Sequence, residues 1–211
     1  MSRSIQGSRI SLTVGFLSVL FGTFIGTAIG IFSGYVGGSI DNFIQRVVDT
    51  AIAFPALLLL LILSAVMGPS ARTIVIAVGI AIIPGVARVV RGAVLSERNN
   101  QYVEAARALG ASTTRILVFH ITPNVVALSI VIMTTLLGTA ILAEASLAFL
   151  GLGIPSAVTW GHDVAEARQT FPFHFWQAFF PGAAITVTVL GFNLLGDSLR
   201  DIFDPRLRGR L

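Results

Sequence analysis

Residues 100–124 read NQYVEAARALGASTTRILVFHITPN, a polar island between two long apolar stretches. Asn99 or Asn100 supplies an N-cap, and Glu104 falls in the first turn that follows, where a carboxylate suits the unpaired N–H groups. Gly110 is placed to end that helix in a left-handed turn. Ser112 caps a second short helix running toward His120. Pro123 has no N–H and a ring that crowds the preceding turn, so it is predicted to stop that helix. One face of the first helix carries only Val103, Ala106 and Gly110, small enough for another surface to approach the backbone closely. The stretch is therefore predicted to form a compact elbow of two short helices joined at a glycine.

The flanks of that elbow belong in a bilayer. The 211 residues are 55% hydrophobic and 11% charged, with a mean hydropathy of +0.87, and a water-soluble domain of that make-up would expose large apolar patches. Five stretches are long enough to cross roughly 30 Å of hydrocarbon as helices: Ile10–Tyr35, Val47–Met67, Ile74–Val90, Val125–Leu142 and Ala178–Leu195. Their composition is continuous rather than alternating, and in lipid the backbone must satisfy its own polar groups, so helices are predicted and a β-barrel is not. Gly22, Gly26, Gly30 and Gly34 recur every four residues in the first span. They form a smooth stripe, predicted to serve close helix packing within the chain. Pro55 and the pair Pro84 and Gly85 are predicted to kink the second and third spans. Asp49 and Glu144 stand near span ends, where interfacial water is expected to solvate them. The segment 149–177 lies between spans and carries Trp160, Phe171, Phe173, Phe175 and Trp176, an aromatic density suited to a headgroup belt or an outer vestibule.

All 14 basic residues are arginine, and there is neither lysine nor cysteine. No Walker A lysine, Schiff base, thiolate metal site or disulfide is available, so any ATP that drives this protein is hydrolysed on another chain. The net charge of +4 does not mark a nucleic-acid binder, because the arginines are scattered between apolar spans and act as topology signals. His120, His162 and His174 fall in separate segments, with no His-Glu-x-x-His pair, and no Gly-x-Ser-x-Gly elbow occurs. A metal site or serine hydrolase centre is therefore not expected.

With Glu104 on the cytosolic side, Arg46, Arg88, Arg91, Arg98, Arg107, Arg115, Arg200, Arg206, Arg208 and Arg210 lie inside, and Arg3, Arg9, Arg72 and Arg168 outside. That satisfies the positive-inside rule and puts the C-terminus in the cytoplasm and the N-terminus outside. An outside N-terminus ahead of an odd number of spans leads us to expect a sixth helix preceding this sequence.

The order Glu104-Ala105-Ala106, then Gly110 after three residues, then Ile121-Thr122-Pro123 resembles the EAA loop of ABC-transporter permease subunits. Three further blocks are similar to the dipeptide, oligopeptide and nickel branch of those permeases: Gly7 to Leu12, Glu144 to Gly153, and Phe192 to Asp197 leading into Asp204 to Arg208. Together they cover the chain nearly end to end. The chain differs from the usual pattern at Phe119, where a basic residue commonly precedes the histidine, and at Thr122, where leucine is usual.

The resemblance implies an all-α, type I ABC importer permease fold, a single transmembrane domain over 1–211 in the cell inner membrane. Its cytosolic coupling loop would lie at about 97–124 and its outside loop at about 149–177. By resemblance, Glu104, Ala105, Ala106, Gly110, Ile121 and Pro123 form the loop that docks on the ATPase. The implied partners are a second homologous permease, two ABC ATPase subunits that bind the ATP and Mg, and an extracytoplasmic substrate-binding protein. The cargo implied is a di- or oligopeptide, with nickel or another small solute as the alternative. A passive channel or membrane scaffold is the rival from another class.

Overall fold

The computed structural model describes residues 2–155, 157–170 and 173–203, without the side chains of residues 2, 4 and 203. Phe171 and the block from Asp204 to Arg208, both singled out above, lie outside the described residues. The described residues are helical, with no strand among them: α1 Ser2–Val36, α2 Gly38–Ala53, α3 Ala56–Met67, α4 Ala71–Glu97, α5 Gln101–Ala108, α6 Thr113–Ile116, α7 Thr122–Leu147, α8 Trp160–Ala167 and α9 Trp176–Phe203. A π turn at Leu117–Ile121 precedes α7, and the chain leaves helical geometry after it at Gly151, whose φ of +85° is left-handed. Four continuous helical stretches, those containing α1, α4, α7 and α9, are long and apolar enough to span a bilayer.

The second expected span is not one straight helix. It breaks at Phe54 and Pro55, where α2 and α3 meet at 86°. A proline that supplies no N–H and holds the preceding residue out of helical geometry accounts for the break. At 12 residues α3 is short of a full crossing, so the pair α2 and α3 together make the fifth candidate span. Pro84, by contrast, sits inside an unbroken α4. A groove of about 1120 Å³, lined by Phe32, Phe43, Phe54, Ile83 and other apolar side chains, opens between α1 and the α2–α3 bend.

The glycine stripe packs α1 on α4 within the chain. A methyl group on Gly22, Gly26 or Gly30 would lie 2.6 Å from the Gly79 carbonyl, 2.8 Å from Val86 Cβ or 2.7 Å from the Ala87 carbonyl. These partners rise in number together, so the two helices run parallel in close backbone contact, the mode by which small residues drive association in lipid. Pairs with α7 run the other way: Ser11 meets Glu144 and Thr27 meets Ser129, so α7 is antiparallel to α1. Gly138 and Gly196 set α9 antiparallel to α7 in turn. The C-terminal ends of α1, α4 and α9 and the start of α7 therefore share one end of the bundle, and α8 lies at the other.

At the shared end a polar clasp ties three helices. Arg91 of α4 donates from Nε and Nη2 to the two Asp41 oxygens of α2 at 2.6 and 2.5 Å, and the Ser33 hydroxyl of α1 donates to the same carboxylate. Gln45 donates to Ser33, and Arg98 Nη1 donates to the carbonyl of Gly34 at 3.2 Å, covering the unpaired end of α1. Asp41 is only 5% exposed. Removing one partner of such a pair leaves an uncompensated charge, so Arg91→Ala is expected to cost about 3 kcal/mol of stability. Thermal unfolding of the detergent-purified protein measures this, and replacing both partners with apolar residues should recover most of the loss.

Two sequence expectations are corrected here. Glu144 is not solvated at an interface; it is fully buried, because α8 and the segment before it fold back over the end of α7. Asp49 does stay exposed, paired with Arg88. Trp160 is 4% exposed and packs with Ile141 and Ile185, so it belongs to the core and not to an aromatic belt. Trp176 is exposed and stacks on Phe180, with Phe175 and Phe179 beside it, and this cluster keeps the belt-like character expected of the segment.

Candidate coupling loop

The elbow forms between α4 and α7, and Gly110 and Ser112 act in it as their chemistry requires. Asn100 is the N-cap of α5 by position, and its carbonyl accepts from the N–H of Val103 and Glu104. Its side chain turns away and donates to Glu97 at 2.9 Å. Gly110 ends α5 at φ +80°, where a side chain is strained. The Gly110 N–H reaches the Arg107 carbonyl at 2.9 Å and the Ala111 N–H the Ala106 carbonyl at 3.0 Å, the paired bonds of a Schellman motif. Ser112 then caps α6, accepting from Arg115 N–H at 3.3 Å.

Pro123 does not end the second helix. From Thr113 to Leu150 the chain is continuously helical, and Pro123 falls in the first turn of α7, directly after the π turn Leu117–Ile121. The wider turn shifts the Thr122 N–H to the Leu117 carbonyl, and proline is tolerated in a first helical turn because its missing N–H is one of the unpaired donors there. The His120 carbonyl near this register change accepts from Asn124 Nδ2 at 3.1 Å. Tyr102 donates its one hydroxyl proton to Glu97, and partial burial beside that carboxylate pushes its hydroxyl above the usual phenol range.

The small face of α5 points inward. Val103 is fully buried with Val90 and Val94 of α4, Ile116, Ile121 and Val125, and Ala106 packs against that cluster. Tyr35 of α1 adds a bond from its hydroxyl to the Thr113 carbonyl at 3.2 Å. Val103, Ala106 and Ile121 thus fasten the elbow to its own bundle, and the surface open to another molecule is the opposite one. It comprises Glu104, Ala105, Ala108, Leu109 and Gly110, with Val118, Phe119 and Pro123 beyond. Leu109 is 89% exposed and Phe119 71%. Among the described residues no atom lies within 4 Å of a methyl built on Gly110, so none of them fills the space beside it. A hollow of about 530 Å³ adjoins, lined by Ser112, Arg115, Phe119 and His120. Of the residues predicted for the site, Glu104, Ala105, Gly110 and Pro123 are exposed, whereas Ala106 is half-buried and Ile121 buried. The exposed apolar pair Leu109 and Phe119 was not singled out as a contact surface from the sequence, although two large apolar residues in a polar island carry that signal.

Comparison with known proteins sets this geometry in a family. Residues 26–209 match the family described as binding-protein-dependent transport system inner membrane component. The chain is 41% identical over 98% of its length to the dipeptide transport system permease protein DppC of Alkalihalophilus pseudofirmus, of which it covers 68%. It is 44% identical over 98% of its length to the glutathione transport system permease protein GsiD of Pectobacterium atrosepticum, of which it covers 69%. The fold superposes on a chain of the MetNI methionine ABC transporter in an inward facing conformation with a TM-score of 0.79, at 19% identity and 97% coverage of both chains. The apolar spans, the capped elbow and these matches agree: the chain belongs to the binding-protein-dependent transport system inner membrane component family, and is a permease subunit of an ABC importer.

Proposed function

We propose that the chain passes di- or oligopeptides across the membrane and is worked from the cytosol through the exposed face of its elbow. Relatives named for dipeptide and glutathione transport support a peptide cargo. The observation that carries the coupling role is the elbow itself: a rigid, doubly capped unit fixed by a buried apolar cluster, yet presenting Glu104, Ala105, Leu109 and Gly110 outward. On this proposal two ATPase subunits bind ATP and Mg, one for each of two paired permeases, and an extracytoplasmic binding protein delivers the cargo. The elbow end of the bundle is cytoplasmic, and so is the C-terminus.

ATP drives the cycle only if it binds the closed pair of ATPases more tightly than the open pair, since a ligand shifts an equilibrium by its differential affinity alone. Closing then displaces the elbow. Val103, Ile116 and Ile121 pack directly on α4 and α7, so the displacement passes to the spanning helices, and the clasp of Ser33, Asp41 and Arg91 extends it to α1 and α2.

The test is copurification followed by reconstitution. The tagged chain, expressed with its genomic neighbours, is expected to retain an ATPase with a Walker A motif, and proteoliposomes of that complex should accumulate a labelled dipeptide when ATP is supplied. A stable complex without an ATPase, or one that moves solute with no dependence on ATP, would favour a channel. Uptake of nickel and not peptide would overturn the cargo.

A further inference from the structure

At the end of the bundle opposite the elbow, a fully buried carboxyl group joins three elements far apart in sequence. Glu144 of α7 has no exposed surface. Its Oε2 accepts from the Ser11 hydroxyl of α1 at 3.2 Å, and Ser11 Oγ in turn accepts from the Trp160 N–H, the first residue of α8, at 3.2 Å. The Thr159 side chain, itself buried, lies within interaction range of the same carboxyl group, and its hydroxyl caps α8 by accepting from His162 N–H at 3.1 Å. There is no slack around this junction: a methyl on Gly161 would lie 2.4 Å from Ala145 Cα, and one on Gly7 would lie 3.3 Å from the Thr159 carbonyl carbon.

Beside this junction and the packing of Trp160 on Ile141 and Ile185, α8 has a looser hold. Arg3 of α1 reaches Glu166 at 2.7 Å and Asp163 at 3.3 Å, with Arg3 and Glu166 both more than half exposed. Burial pushes the Asp163 carboxyl above the usual carboxylate range despite Arg3 nearby. Hollows of about 320 and 540 Å³ flank α8 on its two sides, so it is not enclosed by the rest of the chain. A buried acid is an expensive way to join helices in a membrane, where apolar packing would serve a static contact, and acids within spans mark functional places.

We propose that Glu144 is a positioning residue for the outer mouth of the permease, holding α8 closed over the junction of α1 and α7. The placement outside rests on the cytosolic elbow proposed above. The carboxyl group acts as a hydrogen-bond acceptor for Ser11, whose oxygen in turn accepts the first N–H of α8, and the transport cycle releases α8 when that chain of bonds breaks.

The chain contains no cysteine, so single cysteines report without background. Ala167→Cys places a thiol at a buried site on α8, and Ala87→Cys one at a buried site between α1 and α4. In sealed vesicles carrying the whole transporter, a membrane-impermeant maleimide added outside is expected to label Ala167→Cys about tenfold faster once Glu144→Ala is added. Glu144→Gln keeps an acceptor oxygen and should stay within about twofold of the parent, while Ala87→Cys stays unlabelled in every background. Equal labelling of Ala167→Cys with and without Glu144→Ala would overturn the proposal. So would Glu144→Gln behaving like Glu144→Ala, or Ala87→Cys opening in parallel, which is what general loosening produces. Copurification of the ATPases is scored on the same samples; their absence from the parent would sink the coupling proposal of the preceding section and leave these labelling ratios to be judged separately.

Discussion

Gly110→Asp is expected to leave the protein inserted and assembled, yet to abolish stimulation of ATP turnover by the binding protein and cargo. Position 110 combines a backbone at φ +80° with open space where a Cβ would point. Within this chain the substitution costs only the strain of the left-handed conformation, about 1–2 kcal/mol for most residues and less for Asp and Asn. The bundle beneath is held by Val90, Val103, Ile116 and Ile121, none of which the new side chain touches, so folding survives. Against a docked ATPase the same side chain brings bulk and an unpaired charge into a contact that glycine leaves clear. Gly110→Asn separates the two costs: it fits the same backbone region without the charge and should keep more stimulated turnover than Asp. Assembly is followed by copurification and coupling by the ratio of stimulated to basal ATP hydrolysis. Normal stimulation in Gly110→Asp would remove the lever.

Gly30→Leu should destabilise the bundle about as much as Arg91→Ala. A single methyl at this position already lies 2.7 Å from the Ala87 carbonyl and 2.7 Å from Val90 Cβ, and the first of these is backbone that has no rotamer to give. Overpacking of this kind costs on the order of 3 kcal/mol, and leucine forces α1 and α4 apart along their whole contact. The sharper comparison is with alanine. On helix propensity alone Gly→Ala gains about 1 kcal/mol, so Gly92→Ala, which meets nothing within 4 Å, should be neutral or stabilising, whereas Gly30→Ala should destabilise. Melting temperatures of the purified complex decide the sign at each site.

The sequence made local punctuation legible where one residue settles the geometry. Gly110 and Ser112 terminate and cap as their chemistry demands, and the four-residue glycine stripe identified the helix face that packs most closely. Pro55 marked a break, although its 86° angle depends on how α2 settles against α4 through Asp41 and Arg91, residues 50 apart in sequence. Pro123 misled because the rule against interior proline assumes a regular helix, and the π turn ahead of it makes its position a first turn. Glu144 was placed at an interface by its closeness to a span end, and Trp160 in a belt or vestibule by the aromatic density around it. They are buried because α8 folds back over α7, a long-range event with no periodic signature. For the proposed coupling loop, the residue types marked where the elbow folds, but not which of its faces the chain itself covers. Small residues signal close approach but not by whom, and Val103 and Ala106 turned out to serve the chain's own core.

The decisive measurement is a photocrosslink from a single cysteine at Leu109, the most exposed apolar side chain of α5 and its C-cap, in a chain that otherwise has none. Leu109→Cys carrying a benzophenone maleimide, irradiated in native membranes, should yield an adduct with a nucleotide-hydrolysing subunit whose amount changes when ATP is added. The elbow is not the grip of the motor if an impermeant thiol reagent reaches Leu109→Cys only from the extracytoplasmic side, or if irradiation of the intact transporter produces adducts with lipid and other proteins but none with an ATPase.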